Sequence, residues 1–295
     1  MIEGLVSVVI TTYGRNINLL FQAIESVRKQ TYEYIELIVV DDNGLGTSIQ
    51  QQNELKFVDE SGIQYIANKE NRGVQYSRNI GILESKGEFI AFLDDDDIWM
   101  PEKIEKQVSL LKKNDLGMVF CNGYRFYDND LNKRKLYQYN FISEHLITFD
   151  IELESDRIGS TSHPLIRKEC LAQTGLFDLD MPARQDYEMW LRICKYFKVQ
   201  GINEPLFYYR YHDGERITAS TRKDLFASQL LWKKYKGAYK KNKKARGRAQ
   251  LGLALYHFKM KNFFHTFYHG CYALMSSPST IVRLFCAHRK NRNQF

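Results

Sequence analysis

Short apolar runs rich in valine and isoleucine recur through the first part of the chain: Val6–Thr12, Ile35–Asp41, Ile63–Ala67, Phe89–Leu93 and Met118–Cys121. Longer stretches with helical spacing lie between them: Ile17–Gln30, a polar segment around Thr47–Glu60, Val74–Ser85 and Pro101–Lys113. Runs such as SVVI and LIVV are apolar at consecutive positions, so both faces of those strands must be covered. That pattern predicts an α/β architecture, a mostly parallel sheet flanked by helices. Pro101 suits the first turn of a helix, where a missing N–H is not needed.

After residue 125 the alternation breaks. Tyr127–Glu154 is polar and aromatic and predicts excursions, Lys168–Thr174 and Asp186–Tyr196 predict helices, and Pro205–Tyr211 predicts a strand. From about Leu225 the periodicity is helical, over Leu225–Tyr239, Ala245–Lys259, Phe263–Ser276 and Ser279–His288, with a hairpin turning near Lys261 and Asn262. The expected organisation is a domain over 1–222, in two parts about 1–125 and about 126–222, followed by a basic helical region over 223–295.

Charge sharpens that division. From Leu225 to Phe295 there are 15 Lys and Arg and no Asp or Glu, which leaves 27 basic against 35 acidic residues before it. A tail of that kind expects an anionic partner. Lys233–Arg248 interleaves its basic residues with Trp232, Tyr235 and Tyr239, the composition of an interfacial helix on anionic lipid. The alternative is a helical cap that packs its apolar positions and leaves its lysines in water. Nucleic acid is the weaker expectation, because no recognised module is present. The N-terminus carries Glu3 and no basic leader, and no apolar run approaches the ~18 residues of a membrane span. The scattered cysteines, Cys121, Cys170, Cys194, Cys271 and Cys286, show no metal spacing and expect buried packing in a reduced, cytoplasmic setting, peripheral at the inner membrane face if the tail binds lipid.

In an open parallel sheet, ligands sit beyond the carboxyl ends of the strands. Here those ends carry Thr12 and Tyr13, Asp41 and Asp42, and the run Asp94–Asp97. Four adjacent carboxylates repel unless they are solvated or meet a cation. A carboxylate-lined edge suits Mg²⁺ or Mn²⁺ shared with substrate phosphates. Neither GxGxxG nor GxxxxGK[ST] is present, which argues against a dehydrogenase and a P-loop NTPase. The bland reading of the run is a solvated loop capping the next helix.

VSVVITTYGR, LIVVDDN, NRGVQYSRN, FLDDDDIW, ARQDYEMWLRI and YYRYHDGERIT, in this order over about 5–220, resemble the inverting glycosyltransferases of family two, which have the GT-A fold. The resemblance implies a nucleotide-diphospho-sugar donor, UDP-linked by expectation, a divalent cation, a glycan or lipid-linked acceptor and single-displacement transfer with inversion. It places Thr11, Tyr13 and Asp41 around the base and Arg78 close to the nucleotide. Asp94 is expected near the ribose and donor sugar and Asp96 on the metal. Asp95 and Asp97 leave that register open by one residue, so Asp95 counts among the donor-binding candidates. Asp186 matches the catalytic base, with Gln185 where the family usually has a first acid, and His212 matches the histidine that completes the metal site. A positioned carboxylate of this kind supplies ~10²–10⁴-fold. Trp99, Tyr187 and Trp190 are candidates for stacking on a sugar ring, although WLRI reads as a buried helix face, which favours the core for Trp190 over a sugar platform. Asp186 as a plain helix cap and His212 as a loop histidine are the structural alternatives. A sugar nucleotidyltransferase, or a non-catalytic nucleotide- or polyanion-binding module, are the rival functions. The resemblance does not reach the tail.

Overall fold

The computed structural model describes residues 1–57, 60–127, 130–137, 145–211, 220–282 and 284. The first half alternates as its apolar runs predict: β1 (Ile2–Thr12), α1 (Ile17–Arg28), β2 (Ile35–Asp41), α2 (Ser48–Phe57), β3 (Ile63–Ala67), α3 (Val74–Glu84), β4 (Gly87–Asp94), the short β5 (Ile98–Trp99) and α4 (Lys103–Asn114). Then come β6 (Met118–Tyr127), β7 (Asp130–Tyr137), α5 (Phe149–Glu154), β8 (Leu165–Arg167), α6 (Lys168–Thr174), α7 (Gln185–Tyr196) and β9 (Val199–Tyr211). Helices α8 (Thr221–Lys234), α9 (Lys236–Lys241), α10 (Lys243–Lys259) and α11 (Phe263–Ser276) follow.

The sheet runs β3-β2-β1-β4-β8-β6-β9-β5, with β7 on β6. Strands β1 to β4 pair in parallel, and the valine and isoleucine runs are buried on both faces between two apolar clusters. Helix α1 starts where the Asn16 side chain accepts from Asn18 N–H at 2.9 Å, and it buries Leu20, Ala23, Ile24 and Val27. Gly81 lets α3 close onto β1, since a Cβ there would stand 2.3 Å from a methyl of Val9. That approach sets Arg78, one turn earlier, over the strand ends.

The polar stretch read as excursions contains β7 and α5, and β6 runs on to Tyr127. Alternation does not reveal β7, because its residues Asn132–Leu136 are exposed and carry no apolar face. The three residues of β8 are too few for a periodic signal, yet they insert antiparallel between β4 and β6. The helix expected over Leu225–Tyr239 is two helices, broken at Tyr235, and Ser279–His288 falls partly outside the described residues.

Helices α8 to α10 are packed onto the sheet domain. Tyr187, Leu191, Leu153 and Met181 share one apolar cluster with Ala227, Leu231, Tyr239 and Ala245. Trp232 stacks on Tyr239 at 5.0 Å, and the Tyr235 hydroxyl donates to Glu188 at 3.0 Å. The aromatics expected to enter lipid from this basic stretch are therefore turned into the protein, because burying them against α7 removes more apolar surface from water. Lys233, Lys234, Lys236, Lys240, Lys241, Lys243 and Lys244 stay exposed.

Candidate active site

Sheet register brings the three polar strand ends side by side. Thr12 pairs with Asp41 on one side of β1 and Thr11 with Asp94 on the other. Because β8 runs antiparallel to β4, the residues just before it, Thr161 and Ser162, come to lie against the acidic turn. Thr161 Oγ1 donates to Asp94 at 3.0 Å, and Ser162 Oγ donates to Asp97 at 2.7 Å while accepting from Asp94 N–H at 3.1 Å.

The cation demanded by four adjacent carboxylates is partly supplied by the protein. Arg15 reaches Asp95 at 2.9 Å and Asp96 at 3.0 Å, and Arg78 reaches Asp94 at 2.7 Å. Asp97 is buried and accepts the Arg210 N–H at 3.0 Å, and the Arg210 guanidinium donates to the Asp96 carbonyl at 2.7 Å. Burial pushes the Asp95 carboxyl up to about 6 against the pull of Arg15, and burial with its acidic neighbours pushes Asp97 well up too. Arg15 lies within the quoted VSVVITTYGR run, and its position just beyond the first strand was the available signal for it. Thr161 and Ser162 carried no such signal, since only the antiparallel β8 places them here.

Asp41 is fully buried, and both its oxygens are taken. Asn43 donates through its backbone N–H at 2.8 Å and its amide at 2.7 Å, and Asn53 and Tyr65 donate at 2.7 Å each. Asn43 Oδ1 in turn accepts the Gly14 N–H at 2.8 Å. Asp41 thus ties the loop after β2 to the loop after β1, and both its oxygens accept from protein donors. Thr11 lies at the strand end, and Tyr13 stands open to solvent at the same edge. Asp42 accepts from Asn68 at 2.7 Å and from the Arg72 and Gly73 N–H groups at 3.0 and 2.8 Å, fixing the start of α3.

Asp186 sits in the first turn of α7, behind a cap at Arg184, whose φ is +56°. Its carboxylate accepts the Tyr187 N–H at 2.8 Å, and it does not cap the helix itself. Burial first, then the nearby Asp156 carboxylate, raises its pKa to about 6, with Asp94 adding to the rise; the Tyr187 N–H and Arg78 act in the opposite direction. Asp186 therefore lies within the electrostatic reach of Asp94 and Arg78. Trp99, Tyr187 and Trp190 offer no open face to a sugar. All three are buried, with the Trp99 indole donating to the Ser162 carbonyl at 3.2 Å and that of Trp190 to the Gly159 carbonyl at 2.8 Å. His212 lies outside the described residues, and among those described no three metal-capable side chains converge. Cys121, Cys170 and Cys194 are buried and free.

The family model of Glycosyl transferase family 2 matches residues 7–175. This chain belongs to that family. A UDP-Glc:alpha-D-GlcNAc-diphosphoundecaprenol beta-1,3-glucosyltransferase of Escherichia coli, WfgD, is 32% identical over 203 residues, covering 69% of this chain and 75% of its own. A second E. coli enzyme so named, WfaP, is 30% identical over 232 residues, 78% of this chain and 86% of its own. The match to a glycosyltransferase of Rickettsia bellii spans only 28% of that protein. Among solved structures, S. aureus TarS in complex with UDP-GlcNAc superposes with a TM-score of 0.60 at 14% identity, covering 90% of each chain. The fold is thus the one the family resemblance implied, and the chain is a glycosyltransferase; the nucleotidyltransferase and non-catalytic readings are set aside.

Proposed function

We propose that this glycosyltransferase moves a sugar from a UDP-sugar to a hydroxyl of a lipid-linked saccharide, with inversion, and that Asp186 is its base. The observation that supports the reading is that Asp186 lies within electrostatic reach of the Asp94–Arg78 pair at the strand ends. Two relatives whose names carry a UDP-Glc donor and a diphosphoundecaprenol acceptor, and a structural neighbour that holds UDP-GlcNAc, favour that substrate class. Asp186 removes the acceptor's proton as its oxygen attacks the anomeric carbon; the bond from that carbon to the diphosphate breaks, and UDP leaves. Tyr13, exposed at the strand edge, is assigned to the base and Thr11 to the adjoining nucleotide contacts. Arg78 holds Asp94 toward the ribose and donor sugar.

A divalent cation fits at Asp96. Magnesium-type ions are commonly held by one or two carboxylates plus substrate phosphates, so a single described carboxylate is enough when diphosphate supplies the rest. Asp96 would hold it with His212, Asp95 keeping the Arg15 pairing, and it would neutralise the charge developing on the leaving diphosphate.

A thermal-shift panel tests the donor, because a ligand that binds only the folded state raises its melting temperature. UDP-glucose or UDP-GlcNAc with Mn²⁺ is expected to raise it more than GDP- or dTDP-sugars do. A larger shift with a GDP- or dTDP-sugar overturns the UDP assignment. The base gives a pH signature. With a folded-state pKa of about 6, Asp186 is protonated and inactive below that pH, so kcat/KM should fall about tenfold per unit on the acid side and level off above it. A profile flat from about pH 5 to 7 removes Asp186 as the base.

A further inference from the structure

Helix α11 is built the wrong way round for water. The side it presents to α10 carries His269, Ala273 and Ser276, while Phe263, Phe264, Phe267, Tyr268, Leu274 and Met275 face out. Phe264, Phe267 and Met275 are 79%, 74% and 77% exposed. The inner side is held by polar and small contacts: His269 Nδ1 lies 2.6 Å from Gln250 Oε1, and the His257 ring stacks on that of His269 at 5.3 Å. A surface helix of a soluble protein places its apolar stripe on the core, and exposed apolar patches of this kind mark an interaction surface. An open apolar groove of about 560 Å³ runs along it, lined by Phe264, Phe267, Tyr268, Cys271, Tyr272 and Met275.

Charge selects the occupant. The hairpin brings exposed lysines to both ends of the stripe. Lys259 and Lys261 stand at its N-terminal end, and the start of α10, with Lys243 and Lys244 and next to Lys240 and Lys241 of α9, meets its C-terminal end through Arg246, which donates to Ser276 at 3.0 Å and to the Lys240 carbonyl at 3.1 Å. A second copy would set one such basic surface against another, at a Coulombic cost. An anionic bilayer surface satisfies the apolar stripe and its basic ends together. None of the helices is long and apolar enough to cross a membrane, among the described residues.

We infer that the outward face of α11, with its flanking lysines, docks this enzyme on an anionic lipid surface. Tyr239 is buried and Trp232 and Tyr235 are half-buried against the protein, so the contact passes from that stretch to the hairpin's second helix. Its position suits the acceptor: Tyr256, on α10, accepts a hydrogen bond from Arg184 at 2.6 Å, two residues before Asp186. The inference names the surface on which the proposed lipid-linked acceptor is met, and in that respect rests on that reading.

The test is co-sedimentation of the full chain with vesicles of equal phosphatidylglycerol and phosphatidylcholine, against phosphatidylcholine alone, at low salt. Binding to the anionic vesicles is expected, reduced roughly tenfold or more in a Phe264→Ser, Phe267→Ser, Met275→Ser variant and weakened by salt. These side chains are exposed, so the variant's melting temperature and near-UV dichroism should match the parent's. No binding by the parent overturns the inference, as does a variant that binds equally, or a dimer in sedimentation velocity that the variant dissolves without any vesicle binding. Transfer to a detergent-solubilised lipid-linked saccharide without vesicle binding sinks the docking and leaves the acceptor reading standing. Vesicle binding with transfer only to a water-soluble glycan does the reverse.

Discussion

Asp186→Asn is expected to lower sugar transfer by ~10²–10⁴-fold, the contribution of a positioned general base, or about 3–5 kcal/mol of transition-state stabilisation. Asparagine has nearly the same shape and cannot take the acceptor's proton. The stability of the variant should move the other way. In the folded protein this carboxylate is partly desolvated and lies near Asp156 and within reach of Asp94, which is why its pKa stands at about 6. A group whose folded pKa is raised above its unfolded value costs stability once pH exceeds both, so removing the charge at neutral pH should leave the melting temperature unchanged or higher. Loss of activity at unimpaired stability is the signature of a residue held for chemistry. Donor binding, read by the UDP-sugar thermal shift, should survive, since the acid works on the acceptor. Transfer at the parent's rate in Asp186→Asn would remove the base assignment, and loss of donor binding would move the residue into the nucleotide site.

The polar strand-end edge was legible because parallel strands announce themselves. Runs such as SVVI and LIVV cannot be exposed on either face, and the polar residues that end them must share one edge of the sheet; the register Thr12 to Asp41 and Thr11 to Asp94 is the result. The four carboxylates were legible as a demand for positive charge. What could not be read was who answers it. Arg15 lies 80 residues from Asp95, and an ion pair across that separation follows from the loop geometry after β1, not from any local pattern. Ser162 was hidden for a similar reason, because its role depends on the three-residue β8. The tail shows the opposite failure. Its composition identified a basic, aromatic region, but periodicity does not say which aromatic face the protein keeps. Trp232 and Tyr239 went to the core with Leu191 and Leu231, and the phenylalanines of α11 did not.

Removing the buried Glu188 carboxylate tests what makes the helical tail and the sheet domain melt as one unit. Its carboxylate, on α7, has no exposure and accepts Arg192 from one turn on, at 2.8 Å. From across the junction Lys234 of α8 approaches it at 2.5 Å, and the Tyr235 hydroxyl donates at 3.0 Å. Removing one partner of a wholly buried pair costs ~3–5 kcal/mol, because the charge left behind is neither hydrated nor matched. Here the surviving cations are better placed: Lys234 is 39% exposed and also pairs with Asp178, and Arg192 keeps three backbone carbonyls, those of Thr174, Gly175 and Leu176. Glu188→Ala is therefore expected to cost less, about 2–3 kcal/mol, which for a chain of this size lowers the melting temperature by roughly 4–12 °C. The transition should stay single, since Tyr187, Leu191, Leu231 and Tyr239 still bind the two regions through a common apolar cluster. Calorimetry reads both quantities. A variant that melts in two steps would show that the ion cluster, rather than the shared core, couples the tail to the domain, and one that melts at the parent's temperature would show that neither cation needs the buried carboxylate.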